Sequence, residues 1–248
     1  MDWSRAKSIL IYAFLLLNVV LGYQLWQDVQ ERLSTQLDWT SLSEDAKQMK
    51  EAKNIDIPAK IPSETPSLRE ITYKVIENQQ TRVPLKQVAD SKIIYMSQKD
   101  FIEGLGDEIH YLEQYRHDMA INEDGVFILH QQLTNGLPLF EVKLKLYYEN
   151  QKITGYAQQY VEAEESRELE DQKIITASQA LGSVIMNHLS VGSIVRDIQL
   201  GYHGQLFDTD TQVASPTWRI MLEGGDVYYV NAISGSVEHV QGEKGKEA

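Results

Sequence analysis

The sequence predicts an α+β protein in which a single N-terminal transmembrane helix precedes two modules, each a helix packed on an antiparallel sheet. Three observations predict this class. Residues 8–26 form one apolar run without charge or proline. Farther along, two helical patterns of apolar residues are each followed by several alternating, strand-like patterns. An acidic run at 162–171 separates the two sets, and such a run is typical of a solvated joint between domains.

The apolar run at 8–26 is the expected membrane anchor. At a helical rise of roughly 1.5 Å per residue it is long enough to cross the hydrocarbon core of a bilayer. Arg5 and Lys7 precede it and Asp28 follows it, which places residues 1–7 in the cytoplasm and the C-terminal domain outside the cell membrane. A cleaved signal peptide is the alternative, but the run is longer than a signal core and ends in a poor cleavage site.

Asn18 and Gly22 lie four residues apart and therefore share one face of the predicted anchor. A polar residue in lipid seeks a hydrogen-bonding partner, and a small residue lets a second helix approach closely. The pair predicts a transmembrane partner face. The alternative is that Asn18 bonds locally within its own helix.

Composition excludes several classes of function. The net charge of −13 and the pI near 4.9 argue against binding nucleic acid, which requires a basic surface. There is no cysteine, so disulfides, thiolate metal sites and a cysteine nucleophile are excluded. No cofactor is predicted, and the folded part depends on its hydrophobic core.

Residues 27–67 are predicted to connect the anchor to the folded domain as a juxtamembrane stalk and a proline-rich linker. Val29, Leu33 and Leu37 form a narrow apolar stripe that favours a helix. Three prolines at 58–66 then exclude a helix and favour an extended segment. Two alternatives stay open, namely a mobile tether and docking of the linker isoleucines as an edge strand.

The first extracytoplasmic module is predicted at 68–165. It begins with two short strands, continues with an amphipathic helix at 97–120 that Gly104 and Gly106 weaken in its first turns, and ends in a three-stranded meander. An Asn135-Gly136 turn supplies the positive φ angles that a tight hairpin requires. The predicted strands cover residues 71–75, 92–96, 126–133, 139–147 and 152–161.

The second module is predicted at 172–240 and repeats the plan of helix followed by meander. Thr176 and Gln179 have the spacing of a capping box, which predicts the start of a helix that ends near Ser190. Its predicted strands cover residues 194–202, 217–222, 226–231 and 236–240. Residues 241–248 are predicted to be a tail.

Sequence motifs of catalysis are missing. The chain has no G-x-S-x-G, H-E-x-x-H, Gly-rich phosphate loop or S-x-x-K pattern. His110, Glu113 and His117 would share a helix face, and such residues can bind zinc. Their spacing matches no established zinc motif, so solvated side chains are the expected outcome. The chain is predicted not to be an enzyme and to hold no metal.

Three aromatic residues of the second module could form a contact with an extracytoplasmic partner. They are Trp218, Tyr228 and Tyr229. Because side chains alternate along a strand, one of the two neighbouring tyrosines must face outward. The alternative is that these aromatics belong to the core or to cross-strand pairs.

Three segments resemble the WalI (YycI) family of Gram-positive bacteria. They are the opening MDWSRAKSI before the apolar run, NGLPLFEVKLKLYYENQKITGYAQQY at 135–160, and ASPTWRIML with the later VYYVNAISGSVE. The last module also resembles a PepSY-like unit, in which a proline-x-tryptophan strand precedes a hairpin, here through Pro216, Trp218 and Gly235. The resemblance implies two PepSY-like modules behind the anchor.

The same resemblance implies a function. Members of the family are non-enzymatic regulators that act with WalH (YycH) on the sensor histidine kinase WalK (YycG). They thereby modulate the WalK/WalR (YycG/YycF) control of cell-wall metabolism. The anchor is expected to contact the kinase and the outer domain to form a heterodimer with WalH. The alternative is a membrane-tethered PepSY-like module that binds or inhibits a wall peptidase or captures a wall fragment. A third hypothesis, an extracytoplasmic hydrolase, is disfavoured because no nucleophile motif is present in the sequence.

Overall fold

The computed structural model describes residues 13–18, 20–21, 42–164, 170–204, 209 and 211–242. It confirms the mixed α+β class, with few helices and a mostly antiparallel sheet. The helices are α1 (Glu44–Ala52), α2 (Gln98–Leu105) and α3 (Ala177–Asn187). The strands are β1 (Ser67–Leu68), β2 (Ile71–Asp90), β3 (Tyr115–His117), β4 (Val126–Gln132), β5 (Pro138–Glu149), β6 (Lys152–Glu164), β7 (Gln172–Lys173), β8 (Val195–His203), β9 (Thr211–Leu222), β10 (Val227–Asn231) and β11 (Val237–Val240).

One nine-stranded sheet joins the N-terminal strands β2–β6 to the C-terminal strands β8–β11 in the described part of the chain. Its order is β11-β10-β9-β2-β6-β5-β4-β3, and β8 pairs with β5 and β9. The first residues of β9 pair with β2, and β8 meets β5 in a parallel bridge at Leu139 and Tyr202. The two predicted modules therefore share a sheet, while the boundary between them stays a prediction.

Helix α3 covers one face of the C-terminal strands. The predicted capping box is present, since Thr176 accepts from the backbone of Gln179 and the Gln179 side chain accepts from the backbone of Thr176. The helix buries mostly small and aliphatic residues, and its apolar side chains pack in one core with Trp218 and Ile220 of β9. This layer is the largest hydrophobic core of the described residues.

Residues 42–61, part of the predicted stalk and linker, belong to this same core. Ile55, Ile57 and Ile61 are buried in it, and Asp56 forms a parallel bridge with Ile194. This segment is therefore docked on the folded domain, as one alternative expected, but through buried side chains and an isolated bridge rather than as an edge strand. The earlier stripe at 29–37 lies outside the described residues, as do residues 165–169 of the acidic run and the tail after 242.

The prediction of a long helix at 97–120 is wrong. Helix α2 ends at Leu105, and the chain continues through turns and a 3₁₀ turn into β3. Gly104 lies where a Cβ would come within 2.0 Å of the Ile93 side chain, so the helix approaches the preceding segment closely. That preceding segment, predicted as a strand at 92–96, is a 3₁₀ helix at Ser91–Tyr95.

Candidate functional site

The candidate site lies where the N-terminal strands β2–β6 meet the C-terminal strands β8–β11, on the sheet face opposite α3. Side chains alternate along β9, so Trp218 and Ile220 enter the core under α3 whereas Arg219 points to the other side. Arg219 lies with its guanidinium carbon 4.7 Å from the ring centre of Phe140 on β5. Arg219 of the C-terminal strands therefore reaches a residue of the N-terminal strands at this junction.

We call the first group of polar side chains the buried cluster: Arg219, Asp118, His130, Asp197 and Gln199. One guanidinium nitrogen of Arg219 donates to the Asp118 carboxylate, and the other donates to Gln199 at 2.8 Å and to Asp197 at 3.1 Å. The Arg219 side chain is 2% exposed. An ion pair this deeply buried depends on its partners, because either charge alone would be desolvated without compensation.

Charge in the buried cluster is fixed by these contacts. Burial would raise the pKa of Asp118, but His130 and Arg219 hold it well below its usual range. Nε2 of His130 lies 3.1 Å from the Asp118 carboxylate, although the angle is not that of a hydrogen bond. Burial nevertheless lowers the pKa of His130, outweighing the effect of Asp118. The cluster thus holds an ionised Asp118–Arg219 pair next to a neutral imidazole.

We call the second group the outer cluster: His203, Glu141, Glu238 and Tyr229. Nδ1 of His203 contacts the Glu141 carboxylate on β5, and Nε2 lies 3.3 Å from Glu238 on β11. The Tyr229 ring stacks on the imidazole with ring centres 3.8 Å apart. Burial lowers the pKa of His203, but the two carboxylates together raise it above its ordinary value. The outer cluster therefore favours the protonated histidine, in contrast to the buried cluster.

A cavity of about 460 Å³ opens beside the outer cluster, and we call it the junction cleft. Its aromatic side is formed by Phe140 and Tyr229. Lys143 and Lys145 of β5 line it together with Glu141, while glutamines of β2 and β6 face them. This volume is in the range of small-ligand sites, and the lining combines apolar surface with a few polar groups. The arrangement can bind a ligand but shows no nucleophile paired with a base.

Comparison with known protein families decides the assignment. Residues 36–233 match the YycI protein family. The chain belongs to the YycI family. Membership indicates involvement with the YycG/YycF two-component system, and a regulatory or accessory role rather than a catalytic one. A comparison with curated proteins finds no match.

Two solved structures are similar to this YycI-family chain at low identity. An uncharacterized protein from Eubacterium rectale ATCC 33656 aligns with a TM-score of 0.42 and 11% identity, covering 75% of this chain and 91% of its own. The Bacillus megaterium YpeB C-terminal domain aligns with a TM-score of 0.35 and 17% identity, covering 81% of this chain and 98% of its own. At these TM-scores neither likeness indicates a function.

The structure separates the three aromatic residues that the sequence grouped as a partner contact. Trp218 is fully buried and its indole N–H donates to the carbonyl of Ile175 at 2.9 Å. Tyr228 is also buried, with its ring stacked on His239. Tyr229 points to the opposite face and lines the junction cleft. Trp218 and Tyr228 are therefore core residues in this chain, and a partner contact at Tyr229 stays a prediction.

The predicted anchor at 8–26 lies largely outside the described residues, and Gly22 is among those not described. The described pieces, 13–18 and 20–21, are helical. Within the described residues no helix is both long and apolar enough to cross a membrane. Nδ2 of Asn18 donates to the carbonyl of Phe14 at 3.0 Å, so the local bond that sequence analysis left open is present.

His110, Glu113 and His117 do not share a helix face, since α2 ends before them. His117 lies on β3 and packs edge-on against Tyr95 and Phe127. No group of three or more metal-ligating side chains is placed to hold an ion anywhere in the described ranges.

Proposed function

We propose that this chain is a non-enzymatic, membrane-anchored regulator of the WalK/WalR (YycG/YycF) two-component system that controls cell-wall metabolism. It binds the sensor histidine kinase WalK through its transmembrane helix and pairs with WalH (YycH) through its extracytoplasmic domain. The observation that carries the proposal is the match of residues 36–233 to the YycI family.

Exposed apolar side chains support the anchor. The helical pieces at 13–18 and 20–21 expose about half or more of most of their large apolar side chains; they are Phe14, Leu15, Leu16, Leu17, Val20 and Leu21. So much exposed apolar surface in a row favours lipid or another helix over water. The proposed location is the cell membrane, single-pass, with the N-terminus in the cytoplasm.

Apolar side chains on β2 support pairing of the outer domain. Val75, Ile76 and Val88 are exposed on this long strand, with exposed fractions of 37%, 49% and 48%. Beyond Lys74, β2 has β6 as its only strand partner among the described residues. An unpaired edge with apolar side chains is a common place for another protein to associate.

Crosslinking in membranes followed by a pull-down tests the proposal. The native chain is compared with one whose residues 8–26 are replaced by polyleucine between the same flanks, and with Asn18→Leu. We expect the native chain to recover WalK and WalH, and the polyleucine chain to lose WalK while keeping WalH. Equal recovery of WalK by both anchors would contradict a specific helix contact. Loss of WalH from both would contradict pairing through the outer domain.

The junction cleft favours a second candidate, a membrane-tethered PepSY-like module that binds a wall peptidase or a wall fragment. Such a module tolerates any anchor of equal length. Recovery of wall enzymes alone, by the native and the polyleucine chain equally, would support this candidate over the kinase regulator.

A further inference from the structure

The lysines of the junction cleft form no close ion pair, although Glu141 and Glu123 act on Lys143 electrostatically from farther away. Lys143 and Lys145 lie two residues apart on β5, so both side chains point to the same face. In the described ranges, neither has a carboxylate within 4 Å or a hydrogen bond. Burial and the neighbouring Lys145 lower the pKa of Lys143. Two half-buried like charges side by side repel each other and are partly desolvated, and a bound anion would relieve both effects.

The same cleft holds an unpaired acceptor. Glu141 uses one carboxylate oxygen for His203, while Oε2 is buried and has no donor in the described structure. The Glu141 side chain is only 10% exposed. A buried acceptor without a donor is unfavourable, and a ligand N–H placed there would relieve this.

The spacing of these groups points to a peptide. Glu141 and Lys143 are on one face of β5 and about 7 Å apart along the strand, which an extended peptide covers in roughly two residues. A peptide C-terminus carries a carboxylate and, one or two residues earlier, an N–H. Capture of a terminal carboxylate is a recurring mode of peptide recognition. Phe140 and Tyr229 supply apolar contact for the side chain between them.

We propose that the junction cleft binds the free C-terminus of a short peptide, with its carboxylate on Lys143 and Lys145 and an N–H on Glu141. This goes beyond the proposed kinase regulation and does not depend on it, because the cleft lies on the sheet and the kinase contact lies in the anchor. A single carboxylate balances the lysine pair, whereas a polyanion would meet the acidic surface of the chain.

Titration calorimetry of the full chain in detergent micelles tests the proposal with matched probes. The first probe is trialanine with a free carboxylate, and the second is trialanine with a C-terminal amide. We expect the free acid to bind at least about tenfold more tightly than the amide. Equal affinity of the two probes, or no heat from the free acid at millimolar concentration, would overturn the proposal.

The variant Lys143→Met keeps the aliphatic stem and removes the charge. We expect it to weaken binding of the free acid about tenfold and to leave the amide unchanged, whereas the exposed control Lys152→Met changes neither. Without peptide, Lys143→Met should melt at or above the wild-type temperature, because it removes a partly desolvated charge. A lysine with a merely structural role would give the opposite: a lower melting temperature and unchanged selectivity for the carboxylate.

Discussion

Two histidines at the junction have pKa values shifted in opposite directions, although each lies beside a carboxylate. His130 is next to Asp118, and burial lowers its pKa. His203 is next to Glu141 and Glu238, and these raise its pKa despite burial. The side chains are 3% and 17% exposed. The buried cluster also contains Arg219, whose positive charge disfavours protonation of His130. The outer cluster instead places two negative charges next to His203.

The difference teaches that a neighbouring carboxylate does not by itself make a histidine a cation. The depth of burial and the remaining charge decide the outcome. The buried cluster is therefore a fixed-charge link between the N-terminal and C-terminal strands. The outer cluster joins the same strands, but its carboxylates raise the pKa of His203 and so favour the protonated imidazole. Three substitutions, two of them paired with a comparison variant, would break or sharpen this comparison; they are described from the largest expected effect to the smallest.

The largest effect is expected from Asp118→Asn. It preserves the shape of the side chain but leaves Arg219 buried without its closest counter-charge. We expect the free energy of unfolding to fall by about 3–5 kcal/mol, as for other broken buried pairs. Chemical denaturation of the full chain in detergent micelles, followed by circular dichroism, measures it.

Asp197→Asn is the matched control for Asp118→Asn. Asp197 contacts the same guanidinium, but its side chain is 32% exposed. We expect a loss below about 1 kcal/mol, the range of partly solvated pairs. If the two variants were equally stable, the buried cluster would not link the two sets of strands through Asp118.

An intermediate and pH-dependent effect is expected from His203→Gln. The folded protein raises the pKa of His203 above the ordinary 6.5, so it binds this proton more tightly than the unfolded chain. The resulting stabilisation is complete below pH 6.5 and is lost as pH rises through the raised pKa. Near pH 5 we expect the variant to be about 1–2 kcal/mol less stable than wild type.

The pH profile of that difference is the decisive measurement for His203. The gap between wild type and His203→Gln should narrow steadily above pH 6.5. His130 has the opposite sign, because its lowered pKa makes the folded state lose stability as pH falls below 6.5. A gap that widens with rising pH would mean that His203 behaves like His130, and the comparison would fail.

The C-terminal and N-terminal strands also differ in how closely the sequence predicts them. The C-terminal strands and α3 are specified locally, through the capping box at Thr176 and the alternation along β10, and the predicted bounds agree closely with the structure except at the start of β9. In the N-terminal part, contacts between residues far apart in the sequence determine where the elements begin and end. Glu108 accepts the backbone N–H groups of Lys86 and Gln87 at 2.7 and 2.9 Å, which fixes the turn after α2. No local pattern reveals that bond.

Strand β2 was missed beyond residue 75 for a related reason. Its sequence there is polar and contains Pro84, which argues against a regular strand. The structure accommodates Pro84 at register shifts, between Gln79 and Val83 and between Pro84 and Ala89. Such irregularities allow proline in a paired strand.

Of the residues that form the candidate site, the sequence pointed only to Tyr229. Arg219, Asp118 and His130 come from β9, from the end of β3 and from β4, so only the closed sheet brings them together. Arg219 gives no sequence signal of its own, because a charged residue between Trp218 and Ile220 is also the pattern of a strand with one face in solvent.

The smallest effect is expected from Glu238→Gln, which tests whether the two carboxylates of the outer cluster are equivalent. Glu238 is 48% exposed and lies 3.3 Å from His203, so solvent screens the pair and the expected loss of stability is within about 0.5 kcal/mol. Glu141→Gln removes the better buried carboxylate and should lower the pKa of His203 more. The pKa is measured for both variants from the imidazole proton resonance. If the two variants lowered it equally, burial would not govern the outer cluster, and the contrast with His130 would rest on the number of charges alone.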